Sequence, residues 1–302
     1  MTQPHYTQKG ALPPRHAPGS GADGLTRRAL LGVLGGTALA SLGGWRLAQY
    51  VLRIEPRRLQ VSHTTVAAPL TAPVRLALIS DIHIGPHVEV AWVRQVIAAV
   101  AAQQVDLVLL GGDYVTGSTD GMPALAEALA ELQPSLGVYA VLGNHDYWTD
   151  ADAVLHWLRL AGVMVLVNAG VELATAGGPL YLAGLDDAWQ GRPDLEVALA
   201  GHRAGLPTVL LQHEPDPAAA RAADDRLLLQ LAGHTHGGQI RIPGLGAPVR
   251  PPYGEHYVAG LYALERSQLY VTRGIGVTSP PVRLNCPPEL TVITLAPREA
   301  AL

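Results

Sequence analysis

Residues 74–83 read VRLALISDIH, a nearly continuous apolar run that ends on Ser80, Asp81 and His83. A run of this length and character is typical of a strand that is buried on both faces of a parallel sheet. Its polar side chains come where the strand ends. In open α/β sheets the carboxyl ends of the strands form the crevice where ligands bind, so we expect Asp81 and His83 to lie in a binding site.

The same strand–helix unit recurs beyond residue 83. Apolar residues at helical spacing alternate with short apolar runs, and this alternation predicts parallel strands joined by right-handed crossovers. The predicted elements are helices at 88–103, 123–132 and 151–161 and strands at 106–110, 138–142 and 163–167.

The second half of the chain predicts further strands with few helices. They comprise a hairpin around Gly177-Gly178 (171–174 and 180–183), buried strands at 208–212 and 227–232, and a closing antiparallel set at 262–264, 268–272 and 290–295. We therefore predict one α/β domain, built on two sheets, over residues 74–302.

Five of the predicted strand ends carry side chains that bind metal ions. The ligand set contains imidazole, carboxylate and amide groups but no thiolate, which suits Mn, Fe or Zn better than Ca. The candidate ligands are Asp81, His83, Asp113, Asn144, His213, His234 and His236.

The number of ligands permits two ions. Asp81, His83, Asp113 and His236 form one set of four, and Asp113, Asn144, His213 and His234 form a second set if Asp113 bridges. His145 is then left over beside the ions, free to act as an acid or to stabilise charge. We count His145 and the bridging Asp113 as the catalytic residues.

Three further carboxylates are weaker candidates. Asp146 follows His145 directly, and Asp186-Asp187 follow an apolar segment. We expect these residues to contact the substrate or to support the ligands, with a plain hairpin turn as the alternative for Asp186-Asp187. The nearby Tyr114, Trp148 and Trp189 are expected to pack against the rim of the site.

The five blocks together resemble the calcineurin-like metallophosphoesterase superfamily, whose signature is D-x-H, G-D, G-N-H-[DE], a lone His and G-H-x-H. All five are present in that order, and the resemblance spans residues 74–295. It implies a four-layer α-β-β-α sandwich. It also implies hydrolysis of a phosphodiester or pyrophosphate bond by a bridging hydroxide held between two divalent ions.

Finer features resemble the membrane-associated YkuE/YaeI-type branch of that superfamily. They are Glu55-Pro56, Gly184-Leu185-Asp186-Asp187, the block 233–240 and the tail 281–286. This likeness suggests a lipid-linked envelope substrate such as UDP-2,3-diacylglucosamine, and with it a place in lipid A synthesis. The protein Ser/Thr phosphatases carry Asp and Arg where Thr116 and Gly117 stand here, which argues against phosphoprotein substrates.

Other activities stay open at this stage. A phosphomonoesterase or a nuclease of the same superfamily would use the same blocks, and a metal-dependent envelope-binding protein would keep the ligands without turnover. Residues 61–302 hold thirteen Arg against twenty-three acids, a charge balance that argues against a nucleic-acid partner. Lys9 is the only lysine, which excludes a P-loop, and the single Cys286 excludes an intramolecular disulfide.

The amino-terminal residues predict targeting to a membrane. Residues 1–24 are predicted to be a disordered tail, and residues 25–53 a segment that resembles a twin-arginine signal, with Arg27-Arg28 ahead of the uncharged run 29–45. A cleaved signal, a retained anchor and an amphipathic helix with two chance arginines all stay open. Residues 54–73 are predicted to be a linker. We expect association with the inner membrane or its extracytoplasmic side, and the twin-arginine (Tat) export machinery as a partner.

Overall fold

A computed structural model of the protein describes residues 41–298. It contains two six-stranded sheets. The strands are β1 (Gln60–Ala68), β2 (Val74–Ile79), β3 (Leu107–Leu110), β4 (Val138–Ala140), β5 (Met164–Val165), β6 (Ala169–Thr175), β7 (Gly178–Gly184), β8 (Thr208–Leu211), β9 (Leu227–Ala232), β10 (Gly260–Ala263), β11 (Gln268–Val271) and β12 (Glu289–Pro297). The α-helices are α1 (Val90–Ala102), α2 (Met122–Leu129), α3 (Asn144–Thr149), α4 (Ala151–Leu160) and α5 (Leu195–Ala198).

The first sheet has the strand order β1-β12-β2-β3-β4-β5. Strands β2 to β5 run parallel, as the strand–helix alternation predicts. Because parallel neighbours end at the same edge of a sheet, the residues that follow β2, β3 and β4 come together there.

The second sheet has the order β10-β11-β9-β8-β7-β6. The hairpin of β6 and β7 is antiparallel, and β7, β8 and β9 run parallel. The predicted closing antiparallel set is wrong in one member. β10 and β11 pair with each other as expected, but β12 belongs to the first sheet, where it is antiparallel to β2.

The two sheets pack face to face, and alternate residues of each strand point to opposite layers. Leu76 and Leu78 of β2 enter the core between the sheets with Leu229 and Leu231 of β9, whereas Ile79 packs beneath the helices. Helices α1, α2 and α4 cover the outer face of the first sheet. The outer face of the second sheet is covered by α5 and by a 3-10 turn at Asp216–Arg221. The predicted four-layer α-β-β-α sandwich is therefore confirmed.

The segment before β2 differs from the predicted linker at 54–73. Its nine-residue strand β1 pairs in parallel with β12 over its full length, from Gln60 to Ala68. β1 lies at the edge of the sheet, where alternate residues face solvent, so it lacks the continuous apolar run of the buried strands. Residues 47–49 are helical and lead into a π-helical turn at Tyr50–Ile54 and a 3-10 turn at Glu55–Arg57.

The predicted tail at 1–24 and the signal or anchor segment up to residue 40 lie outside the described residues. Within residues 41–298, no helix combines the length and the apolar character that crossing a bilayer requires.

Candidate metal centre

Seven polar side chains meet where the carboxyl ends of five strands face one another. Three loops of the first sheet and two of the second deliver them, and each of the seven is at most 5% exposed. They are Asp81 and His83 after β2, Asp113 after β3, Asn144 after β4, His213 after β8, and His234 and His236 after β9. The structure thus brings together all seven ligands that the sequence predicts.

One group of ligand atoms is formed by Asp81, His83 and His236. The Nε2 atoms of His83 and His236 lie 3.0 Å apart, and Nε2 of His236 is 3.5 Å from Oδ1 of Asp81. Two imidazoles and a carboxylate that converge within such distances are a typical donor set for a divalent ion.

A second group consists of Asp113, His213 and His234. Nε2 of His213 is 3.2 Å from Oδ2 of Asp113, and the same oxygen is 3.4 Å from Nε2 of His83 in the first group. The Asp113 carboxylate therefore lies between the two groups, where a bridging ligand would lie.

The remaining polar atoms of these residues fit metal ions. Nδ1 of His213 bonds the carbonyl oxygen of Gly111 and Nε2 of His234 bonds that of Pro252, which leaves the other nitrogen of each ring for an ion. Among residues 41–298, the buried side-chain atoms without a hydrogen-bond partner include Oδ2 of Asp81, Oδ1 of Asn144 and Nε2 of His213. Buried polar atoms that lack partners are costly, and coordination of cations would satisfy these.

The loops reach this geometry by adopting left-handed backbone conformations. φ is positive at five of the seven candidate ligands: 55° at Asp81, 53° at His83, 58° at Asp113, 71° at His234 and 51° at His236. Non-glycine residues seldom adopt this region, and when they do they cluster at functional sites. Positive φ at both Asp81 and His83 curls the loop that carries them out of the extended conformation of β2.

Two glycines leave the space in which the carboxylates lie. A Cβ added to Gly233 would stand 2.6 Å from Oδ2 of Asp81, and one added to Gly143 would collide with Oδ1 of Asp113. Each glycine directly precedes a candidate ligand, so the backbone passes close to the ion site and only a residue without a side chain fits there.

Burial and mutual charge set the protonation of the cluster. Burial lowers the pKa of His83 to about 3 and that of His234 to about 4, so both rings are neutral and able to coordinate at physiological pH. Burial would raise the pKa of Asp113, but the neighbouring His213 holds it well below its usual range. Burial raises the pKa of Asp81 to about 6, and the negative charge of the nearby Asp113 also acts to raise it.

Asp146 supports the ligands by holding two of their loops together. Its carboxylate accepts hydrogen bonds from the backbone amides of Asp113 (2.9 Å), Tyr114 (2.8 Å) and Gly143 (2.9 Å). The side chain is fully buried, and burial raises its pKa to about 7. Of the two roles predicted for Asp146, the contacts favour support over substrate binding.

Asp186 and Asp187 organise the loop that carries Trp189. Oδ1 of Asp187 accepts the amides of Trp189 (3.1 Å) and Gln190 (2.5 Å), while Asp186 accepts the hydroxyl of Tyr147 and the amide of Arg192. Glu214, which the sequence analysis missed, accepts the amide of Ala188 at 2.9 Å. Its carboxyl group is buried, and burial raises its pKa to about 8.

A cavity of about 340 Å³ opens from the ligand cluster. His145 lies on its floor, with its ring centroid 4.6 Å from that of His83 and its amide bonded to Oδ1 of Asp113 (2.8 Å). Trp148 and Trp189 line the cavity, so the expectation that they only pack against the rim understates their position.

Two buried charges were not predicted as functional residues. Arg283 is fully buried and donates hydrogen bonds to the carbonyl oxygens of Arg273, Gly276 and Cys286. Glu55 is 1% exposed and accepts the amide of Cys286 at 2.6 Å. No spacing in the sequence could indicate the contact of Glu55, because it joins residues 231 positions apart.

Comparison with known proteins agrees with the geometry. Residues 74–238 match the family model described as calcineurin-like phosphoesterase. The chain is similar to the uncharacterized metallophosphoesterase YkuE of Bacillus subtilis strain 168, at 32% identity over 89% of this chain and 95% of that protein. It is also similar to the phosphodiesterase YaeI of Escherichia coli K12, at 36% identity over 74% of this chain and 83% of the relative. A Danio rerio relative, named transmembrane protein with metallophosphoesterase domain, is 33% identical over 74% of this chain and 53% of its own length.

Replacing Asp146 tests its support of the loops. In Asp146→Asn, an NH₂ group would face at least one of the three backbone amides, and an unsatisfied buried donor costs about 1–3 kcal/mol. We expect the free energy of unfolding in urea to fall by about that amount, and metal content to fall with it. The matched variant Asp120→Asn alters an exposed carboxylate and should change stability by less than about 0.5 kcal/mol. Equal stability of the two variants would contradict the role assigned to Asp146.

Proposed function

The chain belongs to the calcineurin-like phosphoesterase family and is a phosphoester hydrolase, and from that premise we propose that it cleaves a phosphodiester or pyrophosphate bond with the help of two divalent metal ions. The observation that carries this proposal is that two buried groups of ligand atoms adjoin each other and that the Asp113 carboxylate contacts both. A donor set of this kind favours Mn, Zn or Fe.

In this proposal Asp81, His83, Asp113 and His236 would hold one ion, and Asp113, Asn144, His213 and His234 the other. When bound, such a pair activates water as a nucleophile and withdraws charge from the phosphoryl oxygens. The neutral amide of Asn144 limits the negative charge around the pair, which keeps the ions electrophilic. The left-handed loops fix the ligands in place before any substrate arrives.

His145 is proposed to donate a proton to the leaving group. Its ring lies in the cavity beside His83 yet is more exposed than the seven ligands. Burial lowers the pKa of His145, and the negative charge of a bound phosphodiester would act in the opposite direction. The short link from its amide to Asp113 ties the position of the acid to that of the bridging ligand.

The cavity favours diesters over monoesters. Of the residues that line it, Arg250 alone carries a fixed positive charge, and its guanidinium is engaged with the carbonyl oxygens of Ala247 and Glu255. A monoester dianion would find little further charge to balance its second negative charge. The excess of acids in residues 61–302 likewise disfavours a nuclease.

A lipid-linked envelope substrate, such as UDP-2,3-diacylglucosamine, is the finer form of this proposal. Val249, which lines the cavity, is 74% exposed, and Leu245, four residues before it in the chain, is 64% exposed. Exposed apolar side chains at a site mark a contact with an apolar partner. The relative named as a transmembrane protein supports a membrane location.

Hydrolysis of model esters tests the reaction and the role of His145 together. Metal-saturated protein should contain two ions per chain. It should cleave the diester bis(p-nitrophenyl) phosphate faster than the monoester p-nitrophenyl phosphate. His145→Ala should keep both ions but slow turnover of an alkyl diester by about 10²–10⁴-fold, the usual contribution of a general acid. The slowing should be far smaller for a nitrophenyl diester, because nitrophenolate leaves without a proton. Loss of metal, or equal slowing on both esters, would show that His145 is a ligand or acts through charge alone.

Cell fractionation tests the location. We propose that Arg27-Arg28 and the apolar run after them direct the chain, through the twin-arginine machinery, to the inner membrane or its extracytoplasmic side. The wild-type protein should sediment with membranes or appear outside the cytoplasm, and the variant Arg27→Lys/Arg28→Lys should accumulate in the cytoplasm. Wild-type protein found only in the soluble cytoplasmic fraction would exclude both the export signal and the anchor.

A further inference from the structure

Two aromatic side chains form one wall of the cavity beside the metal ligands. Trp148 is 50% exposed although it lies beside the buried cluster, and its ring centroid is 4.9 Å from that of Trp189. Trp148 also contacts the ring of His145, and Trp189 that of His234, at 4.8 and 6.0 Å between centroids. The wall therefore begins at the candidate acid and at a candidate ligand and extends outward.

The contacts around this wall fix the two tryptophans in place. Tyr147, directly before Trp148, donates its hydroxyl hydrogen bond to Asp186. The loop after Asp186 is held by the buried Asp187, which accepts the amide of Trp189. An aromatic surface that is held in this way before binding loses little entropy when a ligand stacks on it.

In the described part of the chain, the lining of the cavity also contains five apolar residues and no free arginine or lysine. The apolar residues are Ile240, Pro248, Val249, Pro251 and Pro280. Arg250, the one arginine among the lining residues, is bonded to backbone carbonyl oxygens. A cavity that is lined by indole rings, apolar side chains and the candidate ligands suits an uncharged flat group.

The geometry points to a subsite for an aromatic ester group of the substrate. We infer that Trp148 and Trp189 are specificity-determining residues that stack on an uncharged aromatic or heteroaromatic substituent of a phosphodiester while its phosphoryl group lies at the ligand cluster. This inference rests on the proposed function, since it concerns the substrate of the same site. The two indoles meet edge to face, at 76° between their planes, so a flat ring that stacks on one of them also lies beside the other. Stacking of this kind makes a flat ring a better occupant than an alkyl chain.

Diesters that share one leaving group test the subsite. The three substrates are p-nitrophenyl phosphates whose second ester group is phenyl, hexyl or methyl. Wild-type protein should have a KM about 10-fold lower for the phenyl ester than for the methyl ester, with similar kcat. Trp148→Ala and Trp189→Ala should each raise KM for the phenyl ester by about 10-fold or more, because stacking on an indole is lost. KM for the methyl ester should stay within about twofold, and Trp→Phe should restore most of the preference.

The control is Trp157→Ala. Trp157 lies on α4, is partly buried against the core between the helices and the first sheet, and does not line the cavity. The variant should leave the phenyl preference unchanged. A hexyl ester that binds as well as the phenyl ester, or equal KM for phenyl and methyl esters, would overturn the inference. If no diester is cleaved, the proposed function fails. The subsite is then judged separately by quenching of tryptophan fluorescence with phenylphosphonate, which Trp148→Ala must weaken and Trp157→Ala must not.

A separate set of contacts joins the amino-terminal segment to the first ligand group. Val51 accepts the amide of Arg283 through its carbonyl oxygen (3.0 Å), and Glu55 accepts the amide of Cys286 (2.6 Å). The thiol of Cys286 in turn lies 3.2 Å from the carbonyl oxygen of His236, a candidate ligand. The turn at 55–57 is thus connected through Glu55 and Cys286 to the loop that presents His236.

Arg283 extends this connection to Asp81. Its guanidinium bonds the carbonyl oxygen of Gly276 at 2.7 Å, and the amide of Gly276 bonds the carbonyl oxygen of Asp81, also at 2.7 Å. Within residues 41–298, no carboxylate lies within ion-pair distance of Arg283, so backbone oxygens alone neutralise it locally. The loops of His236 and Asp81 are therefore both anchored on one buried side chain.

The structure assigns Glu55 and Arg283 the role of positioning residues for one of the two metal sites. Their hydrogen bonds lead to the loops of Asp81 and His236, whereas none of these bonds is made with His213 or with His234. The affinity of this one site for its metal ion therefore depends on the hydrogen bonds that hold residues 50–57 against Arg283 and Cys286.

Metal binding by Glu55 variants tests the role. The measurements are metal content by mass spectrometry after dialysis and calorimetric titration of Mn²⁺. Glu55→Ala should keep one ion and bind the other at least about 10-fold more weakly, which is the usual effect of losing a group that holds a metal ligand in place. Glu55→Gln keeps an acceptor for the amide of Cys286 and should stay within about threefold of wild type. Glu55→Asp, one methylene shorter, covers the case in which Glu55→Ala does not fold, and should also lose affinity at one site.

A stability control separates positioning from general weakening. Val96→Ala creates a small cavity in the buried core of α1 and should lower Tm without loss of either ion. Two ions bound by Glu55→Ala with wild-type affinity, or equal weakening of both, would overturn the assignment. A wild-type protein that binds a single ion would instead contradict the two-metal proposal.

Discussion

The Asp113 carboxylate, fixed between imidazoles from both sheets, is the interaction on which the rest of the structure depends. Its Oδ2 lies within 3.4 Å of nitrogens from His83 and His213, which follow strands of different sheets. A buried carboxylate is costly unless positive groups or ions surround it. The sheets must therefore meet at their carboxyl ends closely enough for both sets of imidazoles to reach one oxygen, and the strand orders of both sheets bring β2, β3, β8 and β9 to that position.

This arrangement is strained, and the core between the sheets offsets the strain. Each candidate ligand with positive φ adds roughly 1–2 kcal/mol of conformational cost. Leucines from β2, β3, β7 and β9 fill the space between the sheets, and each fully buried leucine contributes about 1.5–3 kcal/mol. Because the apolar strands end where the ligand loops begin, the rigid and the strained parts of the chain directly adjoin each other.

The sequence predicts the site better than it predicts the edges of the fold. Ligand residues directly follow apolar runs, and a strand that is buried on both faces can be recognised without any knowledge of its neighbours. β1 was missed because it is an edge strand with half-exposed side chains, and β12 was placed in the wrong sheet because nothing local says which strand it joins. The contacts of Glu55 and Arg283 were beyond reach for a different reason: both residues act on backbone groups, which leave no mark in the sequence.

Hydrogen bonds from buried side chains to backbone groups hold most loops of the site. Asp146 gathers the amides of two ligand loops, Asp187 and Glu214 gather those of the Trp189 loop, and Arg283 gathers carbonyl oxygens around His236 and Asp81. Each is a buried ionisable side chain that bonds backbone groups, and Asp146, Asp187 and Arg283 each bond several at once. Loops without regular structure have many such groups to satisfy, and water cannot reach them beside a buried site. The ionisable side chains around the ligands are therefore engaged in hydrogen bonds to the backbone. This explains why so few charged groups face the cavity and why much of its lining is apolar.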